Sequence, residues 1–136
     1  ITKSMAFGVR MGIERYNLDI AARVEEGRTA ANERMAAVFD QTDFIICASN
    51  PDIAFPAHIE SNTRVAGEKA PAGNNGALTI PANISGNPAI SVPAGLVDGM
   101  PVGVQIIGVQ HSDRAVLDLA YLWERHNPWP LIAESD

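Results

Sequence analysis

The apolar positions change period along the chain, and each change marks an element. From Asn17 to Phe39 they recur at helical spacing: Leu18, Ile20 and Ala21, then Ala31, Met35, Val38 and Phe39 at i, i+4, i+7 and i+8. Asn17 and Thr29 stand where helix N-caps would, and Gly27 between them predicts a break. The opposite face carries Glu25, Glu26, Arg28, Glu33 and Arg34 and reads as solvated. After Asp43 the pattern becomes one unbroken run, Phe44-Ile45-Ile46-Cys47-Ala48, which predicts a central strand of a sheet. From Ser49 to Ala77 no period holds. That stretch is rich in Pro, Asn and Gly, with Asn74-Asn75-Gly76 as its clearest turn signal, and loops of such length are usually functional or mobile.

Two short apolar runs follow. Ala89 to Val92, fenced by Pro88 and Pro93 and carrying β-branched Ile90 and Val92, predicts a buried strand, and Val102 to Ile107 predicts the next. Between them Asp98-Gly99 tolerates positive φ and Pro101 presets an extended backbone, so the pair should fold back as an antiparallel hairpin. Alternation then points Gln105 away from Val104 and Ile106. Gly95, Gly99, Gly103 and Gly108 mark turns or close approaches to another layer. The last element should be a helix from Ser112 or Asp113 to His126. Its stripe is Ala115, Val116, Leu119, Ala120, Leu122 and Trp123, with Ser112 as cap, Asp113 at the positive end, Arg125 and His126 at the negative end, and Pro128 as the stop. Helix, strand, then strand, strand and helix make an α/β layered fold. The chain divides as helical 1–42, strand 43–48, irregular loop 49–77, and hairpin plus terminal helix 78–136, read as one segment of a single domain.

Composition sets bounds on this outline. At 136 residues and 46% hydrophobic content, the chain is long enough for one core. Its formal net charge of −6 argues against nucleic acid as a partner and fits neutral or small substrates. Cys47 is the single cysteine, so no intrachain disulfide forms; a reduced, buried thiol in its apolar run suits a cytoplasmic setting. No apolar run approaches the roughly 18 residues of a membrane span and no signal peptide is visible, which predicts no membrane partner. A start at Ile1 instead of Met fits a fragment or a processed product.

Local chemistry is sparse. A serine–lysine mechanism needs an amine within reach of the nucleophile, yet the chain has only Lys3 and Lys69 and no Ser-Ser pair. Ser85 has Asn83 instead of Gly two residues before it and forms no nucleophile elbow, while Ser91 alternates within a strand; both should hydrogen-bond to backbone. Cys47 with Glu60 and Lys69 would make a Cys/Glu/Lys set, but the neighbours of Cys47 are apolar and nothing nearby activates a thiolate. His58, His111 and His126 show no ligand spacing, so no metal is expected. Gly73-Asn74-Asn75-Gly76 lacks the Lys of a phosphate-binding loop, and no cofactor is expected. Asn83 is expected to satisfy backbone groups where the chain enters the strand near Ala89; its alternative role is the one substrate-binding candidate.

The segment from Pro81 to Gly108 resembles the C-terminal signature of the amidase signature family. The matching positions are Asn83, Gly86, Pro88, Ala89, Pro93, Gly95, Gly99, Pro101, Gly103, Gln105 and Gly108. The resemblance implies the C-terminal part of a layered α/β/α fold with a mixed sheet. It also implies carboxamide hydrolysis to carboxylate and ammonia or amine, through an acyl-enzyme on a serine assisted by a second, cis-linked serine and a lysine. Those groups lie N-terminal to this part of the family's fold, so no catalytic residue is expected in this chain, which alone should be inactive. The implied partners are the N-terminal remainder of the amidase and a small amide, with a possible homo-oligomer through an exposed strand edge. The loop 49–77 would lie toward the mouth of the active site, and Trp129-Pro130 resembles the family's closing tail. Two departures stand out: Ala48-Ser49-Asn50-Pro51 replaces a Pro-Thr-rich turn, and Asp113 stands where Glu often starts the last helix. The alternatives are an amidotransferase A-type subunit, which shares the motif and passes ammonia to an aminoacyl-tRNA, and a non-catalytic structural or binding domain of the same fold.

Overall fold

The computed structural model describes residues 1–59, 61–71 and 74–130, with the backbone alone at Ser4. Two helices open the chain. α1 (Lys3–Arg15) is capped by Thr2, whose Oγ1 accepts from the Met5 amide, and α2 (Leu18–Phe39) by Asn17, whose Oδ1 accepts from the Ile20 amide at 3.0 Å. The break expected at Gly27 does not occur, and Thr29 lies inside the helix. A mid-helix glycine costs only about 0.5–1 kcal/mol against alanine. Propagation across 22 residues outweighs that cost, and Gly27 faces open space. The expected charged face is exposed throughout, while Ala31, Met35 and Phe39 are half-buried where α2 meets the later helix α3 (Ile80–Ser85).

Three strands make the main sheet, β1 (Phe44–Ala48), β4 (Ala89–Val97) and β5 (Met100–Gly108), in the order β1-β5-β4. A small hairpin of β2 (Arg64–Val65) and β3 (Glu68–Lys69) lies within the loop region, followed by a 3-10 turn at Asn74–Gly76. β5 runs antiparallel to both of its neighbours. β1, expected to be central, is therefore an outer strand among the described residues, and its Ile46 is 57% exposed. The strand enclosed on both faces is β5, where Gln105, Ile106, Ile107 and Gly108 are buried in succession. The hairpin is as the sequence predicts: Val97 pairs with Met100, leaving Asp98 (φ 52°) and Gly99 (φ 75°) as a two-residue turn of the type that matches strand twist. Pro93 does not end its strand. β4 is an outer strand of this sheet, where a missing N–H is tolerated, and it passes Pro93 through a bulge before Gly95.

α4 (Asp113–His126) covers one face of the sheet, giving helices and sheet in layers and an α/β fold. Val92, Ile106 and Ala120 form the buried centre, with Phe44, Ile90, Val104, Leu119 and Trp123 packed around it. Register explains the membership: Val92 pairs with Val104 and Ile90 with Ile106, so all four side chains share a face. On α4 the inward positions are Val116, Leu119, Ala120 and Trp123, whereas Ala115 and Leu122 of the predicted stripe are exposed. Ser112 precedes α4 but makes no capping bond; its Oγ turns back to donate to the Val109 carbonyl at 2.7 Å. The Trp123 indole donates to the Pro93 carbonyl at 2.8 Å and ties the helix to the bulged strand.

Candidate functional site

Alternation places Cys47, Ser91, Pro93, Gly103 and Gln105 on the sheet face opposite Val104 and Ile106. Gln105 is 5% exposed there, with its amide donating to the Leu78 carbonyl at 2.9 Å and reaching the Cys47 sulfur at 3.4 Å. Cys47 is half-buried instead of fully buried, because β1 is an outer strand. Ser91 does not bond to backbone as expected: its hydroxyl pairs with that of Ser49 at 2.5 Å, directly over Gly103. These serines are 42 residues apart, and nothing local in the sequence signals the pair. Ser85 is buried and donates to the Pro81 carbonyl at 2.8 Å, in line with expectation.

Asn83 is exposed. α3 turns Ala82 and Ser85 inward, which leaves Asn83 on its outer side, so it does not satisfy the strand entrance. Asn87 does that instead, donating from Nδ2 to the Gly108 carbonyl at 2.8 Å, while the Gly108 amide bonds to Pro88. Lys3 opens α1 and Lys69 sits in β3, both exposed, and no hydrogen bond or ion pair joins Lys69 to Cys47 among the described residues. Glu60, the third member of that set, lies outside the described residues, as does Gly73. His58, His111 and His126 are exposed and apart, and no group of three or more His, Cys, Asp or Glu among the described residues could hold a metal ion. No described helix is long and apolar enough to cross a membrane.

A cleft of about 670 Å³ lies between residues 50–55 and the turn end of the β4–β5 hairpin. Ile53 and Phe55 face Val97, Val102 and Val104 across it, and Asn62 and Asn75 add amides. Its loop wall is pinned: Asn62 Nδ2 donates to the Ile53 carbonyl at 3.1 Å, the Ile53 amide donates to Asp52 Oδ1 at 2.8 Å, and the Ser49 amide donates to the Gly103 carbonyl at 2.9 Å. Such a wall can enclose and orient a neutral molecule. Among the described residues it brings together no nucleophile and base, and none of the described serine, cysteine, lysine, histidine or Asn83 candidates from sequence lines it.

With this geometry in place, comparison with known proteins gives a consistent picture. The family profile described as Amidase matches residues 8–117. Among curated proteins, the A-type subunit of the glutamyl-tRNA(Gln) amidotransferase of Latilactobacillus sakei subsp. sakei (strain 23K) is 40% identical over 98 residues, covering 72% of this chain and 19% of that protein. Its counterpart in Thermosynechococcus vestitus is 35% identical over 112 residues, covering 79% of the chain and 21% of the relative. The chain thus spans about a fifth of the length of these relatives. Among solved structures, a bacterial aryl acylamidase of the amidase signature enzymes superposes over 95% of this chain and 27% of its own, with a TM-score of 0.82 and 27% identity. The A-type subunit of the glutamyl-tRNA(Gln) amidotransferase of Thermotoga maritima covers 95% of the chain and 28% of its own, with a TM-score of 0.62 and 28% identity.

Proposed function

The chain belongs to the Amidase family of amidase signature enzymes, and from that premise we propose that it forms one wall of the substrate cleft of an enzyme that hydrolyses a carboxamide to carboxylate and ammonia or amine. The observation that carries this reading is the contrast between the family match and the side chains present. The cleft is walled mostly by apolar side chains and amides, yet Ser85, Ser91 and Ser49 are committed to Pro81 or to each other, and among the described residues neither Lys3 nor Lys69 bonds to them. In this reading the serine nucleophile and its lysine come from residues outside the chain, attack the carbonyl and form an acyl-enzyme that water releases. The remainder of such an enzyme is the first partner. Support for that lies in the exposed Phe7, Ile13 and Leu18 and in the outer edge of β1 with Ile46.

Ammonia release from a panel of aliphatic and aromatic amides tests the proposal. The enzyme carrying these residues should turn over, and the 136-residue chain alone should not. Turnover by the chain alone that survives both Cys47→Ala and Ser91→Ala would place the active site elsewhere. The amidotransferase reading is the second candidate, favoured by the name of the curated relatives. It predicts that glutamine is deamidated in preference to simple amides, with ammonia delivered to an aminoacyl-tRNA.

A further inference from the structure

We propose that the cleft beside the β4–β5 turn receives a bulky apolar group of the amide substrate, an aryl or branched alkyl group, and that the bulge at Ala94 creates this preference. The inference rests on the hydrolase reading for its reaction and on the geometry below for its specificity.

The register shows what the bulge does. Pro93 pairs with Gly103, but the next pair is Gly95 with Val102, so Ala94 is an extra residue. In an unbulged strand, Ala94 and then Leu96 would share a face with Val102 and Val104. With the bulge, Gly95 and Val97 take that face, and Leu96 is turned to the other, where it is 64% exposed. The inserted residue therefore chooses Val97 for the cleft. Gly95 has φ 112°, a conformation that L side chains rarely adopt, so the bulge is fixed to a glycine.

The opposite wall completes an apolar slot. Ile53 and Phe55 are half-buried on the loop that Asn62 pins through the Ile53 carbonyl. Asp52 is the only charged residue along the cleft among the described residues, and its carboxylate already accepts from the Ile53 amide. No cation among the described residues lines the cleft to receive a carboxylate, so a zwitterion such as glutamine gains little there while a phenyl or branched alkyl group loses water on both sides. The volume of about 670 Å³ lies within the range of small-molecule sites.

The test compares phenylacetamide with acetamide, using the whole enzyme. The ratio of kcat/KM for phenylacetamide over acetamide should fall about ten-fold or more in Phe55→Ala, a contrast typical of lost apolar contact in a pocket. Val97→Thr, which keeps the side-chain shape and adds a hydroxyl, should lower the ratio in the same direction and guards against a variant that fails to fold. A ratio unchanged in the folded variants overturns the proposal, whatever happens to the two rates separately. If the enzyme turns over neither amide, calorimetric binding of phenylacetamide decides on the cleft, while the hydrolase reading fails only if no amide of the wider panel is turned over. A Kd raised about ten-fold by Phe55→Ala supports the slot. An unchanged Kd, or no binding at millimolar concentration, overturns it.

Discussion

Gly103 lies beneath a pair of hydroxyls, and adding one methyl group there tests the pairing directly. A Cβ on Gly103 would stand 2.8 Å from both Ser49 Oγ and Ser91 Oγ and 3.4 Å from Ser49 Cβ. The backbone of β5 is held by ladders on both sides, so the hydroxyls must give. Ser91 is exposed and can turn to water, but Ser49 is 9% exposed and cannot do so without losing its partner. The lost hydrogen bond costs about 0.5–1.5 kcal/mol net. The overpacking adds about 1–3 kcal/mol. Gly103→Ala should therefore destabilise by about 1.5–4.5 kcal/mol. In a Ser49→Ala/Ser91→Ala background both obstructing oxygens are gone, and the same substitution should cost about 1 kcal/mol or less. Denaturation of the four proteins of this cycle, followed by tryptophan fluorescence, measures the coupling. An equal cost of Gly103→Ala in both backgrounds would refute the reasoning, because the methyl would then be meeting something other than the hydroxyls.

Gly108→Ala should destabilise by about 1–3 kcal/mol, since its methyl would overlap Ser112 Oγ and stand 2.6 Å from Val116 Cγ2, forcing α4 off the sheet; an unchanged melting temperature would contradict that close approach. Gln105→Leu should cost about 1–3 kcal/mol by leaving the Leu78 carbonyl without its donor, and a neutral result in denaturation would mean that water replaces the amide. Asn83→Ala should change stability by no more than about 0.5 kcal/mol because the side chain is exposed. A large loss of kcat/KM with an unchanged melting temperature would assign Asn83 to substrate contact.

What could be read from the sequence was what local chemistry decides. Asn17 caps α2 because an amide side chain precedes a periodic run, and Asp98-Gly99 turns the hairpin because both residues accept positive φ. Alternation alone turned Gln105 away from Val104 and Ile106, but that this second face is also buried is what the structure adds. The misreadings share another cause. Gly27 and Pro93 are breakers by propensity, but a long exposed helix absorbs the first and an outer strand the second. Phe44 to Ala48 looks central because an apolar run does not say which strand lies beside it; that depends on β5, more than fifty residues away. Asn83 and Asn87 are both amides near the start of β4, and only the helical phase of α3 decides that Asn87 reaches the Gly108 carbonyl. The cleft was hidden for the same reason: the loop supplies Ile53 and Phe55, the hairpin supplies Val97 and Val102, and no spacing links them.

The serine pair and the cleft lie on opposite faces of the sheet, yet one residue joins them. Ser49 follows β1 directly, and its amide bonds to the Gly103 carbonyl, so it extends the ladder by one residue before the chain leaves as the cleft wall. Its hydroxyl is held by Ser91 on β4, across the central strand. The point at which residues 50–55 depart is thereby fixed against both other strands. A glycine beneath the pair is then a geometric requirement of that anchor, since any side chain at residue 103 competes with the hydroxyls for the same space. Ser49 lies within Ala48-Ser49-Asn50-Pro51, a departure from the Pro-Thr-rich turn that the sequence resemblance implies. The departure does not leave the loop untethered. A half-buried hydroxyl pair and one ladder bond hold its start, and the Asn62 amide holds its far side through Ile53, so the apolar wall of the cleft stands on anchors contributed by three separate parts of the chain.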